Sequence, residues 1–168
     1  MESEFLCGLE NFDAVWQRVR GDAPPHPPRQ GEAGSEAPAQ AALLKELMDG
    51  KCAQARLLTA LAPCFGGAAR QKLLCMAEEE KRHFRCLQLE YFLLTGTCHR
   101  AGQGSVRFAG RLSGLRLAWQ GECAAAERLR TEAGRSTGTL RAALDEAARA
   151  DGRHAESLYA LLRCAIVG

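Results

Sequence analysis

Apolar residues recur three and four positions apart along most of this chain, and almost nowhere do they alternate one by one. That spacing is the signature of amphipathic helices rather than half-buried strands. It predicts four long helices, over about Pro38 to Ala62, Ala68 to Thr95, Val106 to Ala133 and Thr139 to Val167. The apolar stripe of the first runs Leu44, Leu47/Met48, Ala55, Leu58, Ala62; that of the second runs Leu73, Met76/Ala77, Phe84, Leu87, Leu94. The third carries Leu115, Ala118/Trp119, Ala125/Ala126 and Leu129, the fourth Leu140, Leu144, Ala147/Ala148, Leu158 and Leu161/Leu162. Short turns at Pro63–Gly67 and Gly134–Gly138 predict two antiparallel hairpins. Between them Thr97 to Ser105, extended, reaches roughly 30 Å, enough with slight fraying to cross a bundle of such helices. Near the start, Asn11 to Gly21 suggests a short helix with Phe12, Val15, Trp16 and Val19 on one face. Asp22 to Gly34 contains four prolines and reads as a linker. The expected organisation is a helical segment at 1–21, a linker at 22–37 and an all-α four-helix bundle at 38–168.

Composition changes this picture little. With 46% hydrophobic and 25% charged residues, a chain of 168 residues suits one globular domain. A net charge of +2 gives no argument for nucleic acid, and charges break every apolar run too soon for a membrane span. The acidic N-terminus does not resemble a secretory signal, so a soluble cytoplasmic protein is expected. Eight cysteines are scattered without a Cys-x-x-Cys pair, which argues against zinc-ribbon or rubredoxin-type sites. Small, reduced, mostly buried thiols are the expectation.

The chemistry lies in an internal repeat. At an offset of 71 residues, Gly50-Lys51-Cys52-Ala53 falls on Gly121-Glu122-Cys123-Ala124, and Arg82-His83 falls on Arg153-His154. Leu44, Leu58, Leu73 and Leu87 fall on Leu115, Leu129, Leu144 and Leu158. Each hairpin thus offers one ionisable residue from its first helix, Lys51 or Glu122, and an acid-x-x-His pair from its second, Glu80/His83 or Asp151/His154. All six sit on the stripes that must pack inward. An unpaired buried carboxylate is so costly that such groups are neutralised, ion-paired or bound to a cation. The neighbouring Glu78 and Glu79, with Lys81 and Arg82, read as a solvated face. His26 and His99 read as solvated loop residues.

AALLKELMDGKCAQARLLTALAP with LLCMAEEEKRHFRCLQLEYFLLTG, and WQGECAAAERLRTEAG with LDEAARADGRHAESLYALL, resemble the two hairpins of rubrerythrin and other ferritin-like di-iron carboxylate proteins over roughly residues 40 to 165. The resemblance implies a ferritin-like bundle of two repeated hairpins with a long crossover. It implies metal ligands at Glu80, His83, Glu122, Asp151 and His154, and iron, one ion or two, with manganese or zinc also suited to the donors. Lys51 stands where the family has Glu, and an ammonium cannot ligate a metal; the expectation is that it pairs with Glu80 or Glu122. Glu122, Asp151 and His154 remain as an intact half-site, with Glu80 able to bridge. Tyrosines common near such sites are replaced at Leu58 and Leu129. The implied activity is that of an oxidoreductase acting on peroxide or dioxygen, or of an iron-oxidising protein, with an external electron donor and a homodimeric state. The alternative is a non-catalytic bundle that keeps a metal-free ion-pair cluster and serves in interaction or assembly.

Overall fold

The computed structural model describes residues 36–167, which are helical apart from turns and one long connector. Helices α1 (Glu36–Leu61), α2 (Gly67–Thr95), α3 (Arg111–Arg135) and α4 (Gly138–Val167) form a four-helix bundle, with a 3₁₀ turn at Ala62–Cys64. The helical segment expected at 1–21, residues 22–35 of the expected linker, His26 and Cys7 lie outside the described residues, while residues 36 and 37 of that linker open α1 instead. None of the four helices is long and apolar enough to cross a membrane.

Helix α1 starts slightly before Pro38, which leaves that proline in the first turn, where its missing N–H breaks no helical bond. Helix α2 ends on Gly96, whose left-handed φ of 70° lets its N–H bond the Phe92 carbonyl at 2.8 Å. Within each hairpin the two helices pack mainly on each other. Helix α1 then touches α3 and α2 touches α4.

Two apolar clusters fill the bundle. One joins Leu44 and Met48 of α1, Leu87 of α2, Leu129 of α3 and Leu144 of α4. The other joins Leu58 and Leu61 with Leu73, Leu115 and Leu158. The start of α1 therefore lies with the end of α2, the end of α3 and the start of α4. Helices α2 and α3 run the same way, so their connector must travel the length of the bundle.

It does so along α1. His99 Nε2 meets Asp49 Oδ1 at 3.0 Å, and Arg56 Nη1 donates to the Gly102 carbonyl at 2.6 Å. Phe108 then lies against Gly114, where an added Cβ would stand 2.6 Å from Leu61 Cδ1. Helix α3 begins at Arg111, not at Val106 as the spacing predicts. Val106 and Phe108 instead cap the second cluster from the connector. Ser113 fixes the start: its hydroxyl accepts from the Gly110 N–H at 3.0 Å and donates to the Gly110 carbonyl at 2.8 Å.

Two further expectations are corrected. His99 is anchored rather than solvated. Cys64, Cys75, Cys86, Cys98, Cys123 and Cys164 are free and exposed, and Cys52 is half-buried, so the thiols are not core residues. They fall off the inward stripes, and position outweighs the preference of cysteine for burial.

Candidate metal centre

Between the two apolar clusters lies a layer of charge. Lys51, Glu80, His83, Glu122, Asp151 and His154 are all buried, none more than 4% exposed. Each occupies the place on its helix where the 3.6-residue period would otherwise put a leucine or alanine. Gly121 helps the layer close. A Cβ there would stand 2.7 Å from Gln54, whose side-chain amide donates to the Ala118 carbonyl at 3.1 Å and ties α1 to α3.

Lys51 reaches across the bundle. Its Nζ donates to both oxygens of Asp151, at 2.5 and 2.6 Å, and lies 3.0 Å from Glu80 Oε2. The expected pairing with Glu80 is present; Glu122 is not its second partner, and Asp151 takes that place. On the other side, His154 Nδ1 is 3.2 Å from Glu80 Oε1 and 3.7 Å from Glu122 Oε2. Its Nε2 meets Glu79 Oε2 at 3.0 Å. A carboxylate only accepts, so Nε2 carries a proton and donates it to Glu79. His83 is placed differently. Its Nδ1 lies 3.8 Å from Glu80 Oε1, and neither ring nitrogen makes a hydrogen bond among the described residues.

The electrostatics follow from three buried carboxylates sharing one space with two bases. Burial opposes the Lys51 charge, but Glu80, Asp151 and Glu122 outweigh it and raise its pKa. The same contest raises His154 to about 10: burial would lower it, while Glu122 and Glu80 favour the imidazolium. Glu80 is driven the other way. Burial would raise it, yet His154, His83 and Lys51 hold it well below the usual carboxylate range. Asp151 rises to about 7 through burial, with the charges of Glu80 and Glu122 adding to it against Lys51. Glu122 is also raised, by burial first and then by Glu80.

The donors fit a cation. One ligand atom each from Glu80, Glu122, Asp151 and His154 lie within 4.8 Å of one another. Both oxygens of Glu80 and of Glu122, and His154 Nδ1, are buried without a hydrogen bond among the described residues. Lys51 Nζ and His154 Nδ1 face the Glu80 oxygens as ion-pair contacts at 3.0 and 3.2 Å, so the Glu122 oxygens are the less well met, and a buried acceptor left unmet costs free energy. Carboxylate oxygens and an imidazole nitrogen suit iron, manganese or zinc. His83 is not part of the converging set.

Sequence reasoning missed Glu79. It lies on the face expected to be solvated and its side chain is 40% exposed, yet it bonds His154. The repeat holds a signal for it: the position matching Glu79 is Ala150, so His154 has a carboxylate partner and His83 has no counterpart from the other hairpin. The fold and centre together define a helical bundle with a buried carboxylate–histidine–lysine layer. No family model, no curated protein and no solved structure matches the chain.

Proposed function

We propose that this protein is a ferritin-like, rubrerythrin-related metal-binding bundle whose centre takes one transition-metal ion, the Lys51 ammonium standing in for a second. The carrying observation is the convergence of Glu80, Glu122, Asp151 and His154 within 4.8 Å, beside an ammonium that grips Asp151 and faces Glu80. Lys51 belongs to the same hairpin as His83, and that hairpin's half of the cluster is the one without a usable ligand set.

Each residue has a part. Glu80 and Glu122 supply buried oxygens that make no hydrogen bond among the described residues. His154 supplies Nδ1 once that atom loses its proton, and Glu79 holds the ring by the opposite nitrogen, the usual outer-shell arrangement for a ligating histidine. Lys51 fixes Asp151 and keeps a positive charge where a second cation would otherwise be needed. The leucine clusters above and below exclude water. Iron bound there would supply one-electron chemistry toward peroxide or dioxygen, and manganese or zinc fit the same donors. With no Cys-x-x-Cys pair in the chain, electrons would come from a separate donor.

Metal analysis after anaerobic loading with ferrous iron tests this, with about one ion per chain expected. His154→Ala should abolish that binding, whereas His83→Ala should leave it nearly intact. Retention of metal only while His83 is present would reject the assignment. Glu79→Gln should weaken affinity by about tenfold to a hundredfold, the range for outer-shell partners, measured by competition with a chelator.

One observation favours a second reading. Both oxygens of Asp151 are already held by Lys51, so the cluster could serve as a metal-free ion-pair layer in a non-catalytic bundle. Wild-type protein that stays free of metal after loading would establish that reading in place of the first.

A further inference from the structure

Away from the buried layer, one stretch of surface is built unlike the rest. Where the end of the connector meets α3 and the last turns of α4, a groove of about 520 Å³ opens. Its floor and walls are Phe108, Leu112, Leu117, Leu162 and Ile166. Among the described residues six large hydrophobics are well exposed, and three of them, Leu112, Leu117 and Ile166, gather here. Scattered apolar exposure is ordinary, but a contiguous patch marks a binding surface.

Its charge is as particular as its apolar lining. Arg107 and Arg116 border the groove and no acidic residue lines it. Residues 91 to 121 contain no Asp or Glu at all. Four surface arginines, Arg128, Arg135, Arg141 and Arg149, pair with a nearby carboxylate, whereas others among the described residues, such as Arg70, Arg85 and Arg163, make no such pair. Arg107 and Arg116 make no such pair among the described residues. Two guanidiniums beside leucine and phenylalanine side chains complement a molecule that is anionic at one end and apolar along its length.

We infer that this groove binds a single-chain long-chain carboxylate, with its head on Arg107 and Arg116 and its chain along Leu112, Leu117 and Ile166. Guanidinium forks match carboxylate geometry. The volume falls within the roughly 300–1,000 Å³ usual for small-molecule sites, which are mainly apolar with a few polar groups that set orientation. A protein helix fits less well. The stripe from Leu112 to Gln120 is about 12 Å long, short for an interface that must bury on the order of 1,000 Å².

The test is calorimetric titration of the full chain with sodium dodecanoate below its micelle concentration. Saturable binding near one molecule per chain is expected, about tenfold or more tighter than for dodecyltrimethylammonium. The double variant Arg107→Gln, Arg116→Gln, which alters surface residues only, should lose about tenfold in dodecanoate affinity while keeping the wild-type helical circular dichroism. Leu117→Glu should weaken binding comparably. Equal binding of the cationic amphiphile, or an unchanged affinity in the arginine variant, would overturn the inference. So would absence of saturation, or preferential capture of phosphatidylglycerol vesicles over free dodecanoate, which would make the patch a membrane-facing surface instead.

Discussion

Replacing Lys51 with glutamate should make the bundle depend on metal for its stability and raise its capacity from one ion to two. In the wild-type protein the Lys51 ammonium lies against Asp151 and Glu80 inside a layer that also holds Glu122. Lys51→Glu removes that cation and adds a fourth carboxylate to the same space. Breaking a buried ion pair by removing one partner costs about 3–5 kcal/mol, and the new negative charge adds to the loss. Without metal, the variant should unfold at markedly lower denaturant than wild type, or fail to fold. With ferrous, manganous or zinc ion the order should invert, because an ion that binds only the folded state stabilises it by mass action. Lys51→Met keeps the test decisive. It removes the cation without supplying a ligand, so it should lose stability and still bind no second ion. If Lys51→Glu and wild type hold the same number of ions, Lys51 does not stand in for one.

That expectation rests on a layer whose burial is written in the helical periodicity. The inward stripes place Lys51, Glu80, His83, Glu122, Asp151 and His154 among leucines and alanines, and all six are buried. Which of them touch could not be read from spacing along single helices. Lys51 is expected on Glu80 or Glu122; it does meet Glu80, but its second partner is Asp151 on α4, the helix with which α1 shares the least backbone contact. Glu79 escaped for a related reason. It sits one position off the buried face, yet its side chain is long enough to wrap the edge of α2 and meet His154. The connector misled because Val106 and Phe108 lie at a spacing that continues the α3 pattern, although they pack as an extended strap. The described cysteines are exposed or half-buried because helix position, not residue type, decides their burial. Cys75, Cys86 and Cys164 are off every stripe and could have been placed on the surface by the same periodicity that found the core.

Without metal, the bundle should be more stable at mildly acidic pH than at alkaline pH, with metal affinity moving the opposite way. His154 is raised from 6.5 to about 10 by Glu122 and Glu80 despite its burial. A base raised on folding contributes stability that is complete below its unfolded value. That contribution is lost as pH climbs from 6.5 through about 10, by up to about 1.4 kcal/mol per pH unit. Asp151, raised from 3.8 to about 7 chiefly by burial, acts in the same direction over lower pH, because the folded state again holds the extra proton. Glu80, whose pKa is lowered, opposes them only at acid pH, where its stabilisation is lost below the ordinary value of 4.5. Chemical denaturation of chelator-treated protein should therefore give a higher midpoint near pH 5 to 6 than at pH 9. His154→Asn should flatten the slope above pH 6.5. Metal binding must displace the proton on His154 Nδ1, so affinity should rise over the same range and each ion bound should release at least one proton into a weak buffer. A metal-free bundle that gains stability from pH 6 to 9, or binding that releases no proton, would show that His154 does not face Glu80 and Glu122 as an imidazolium.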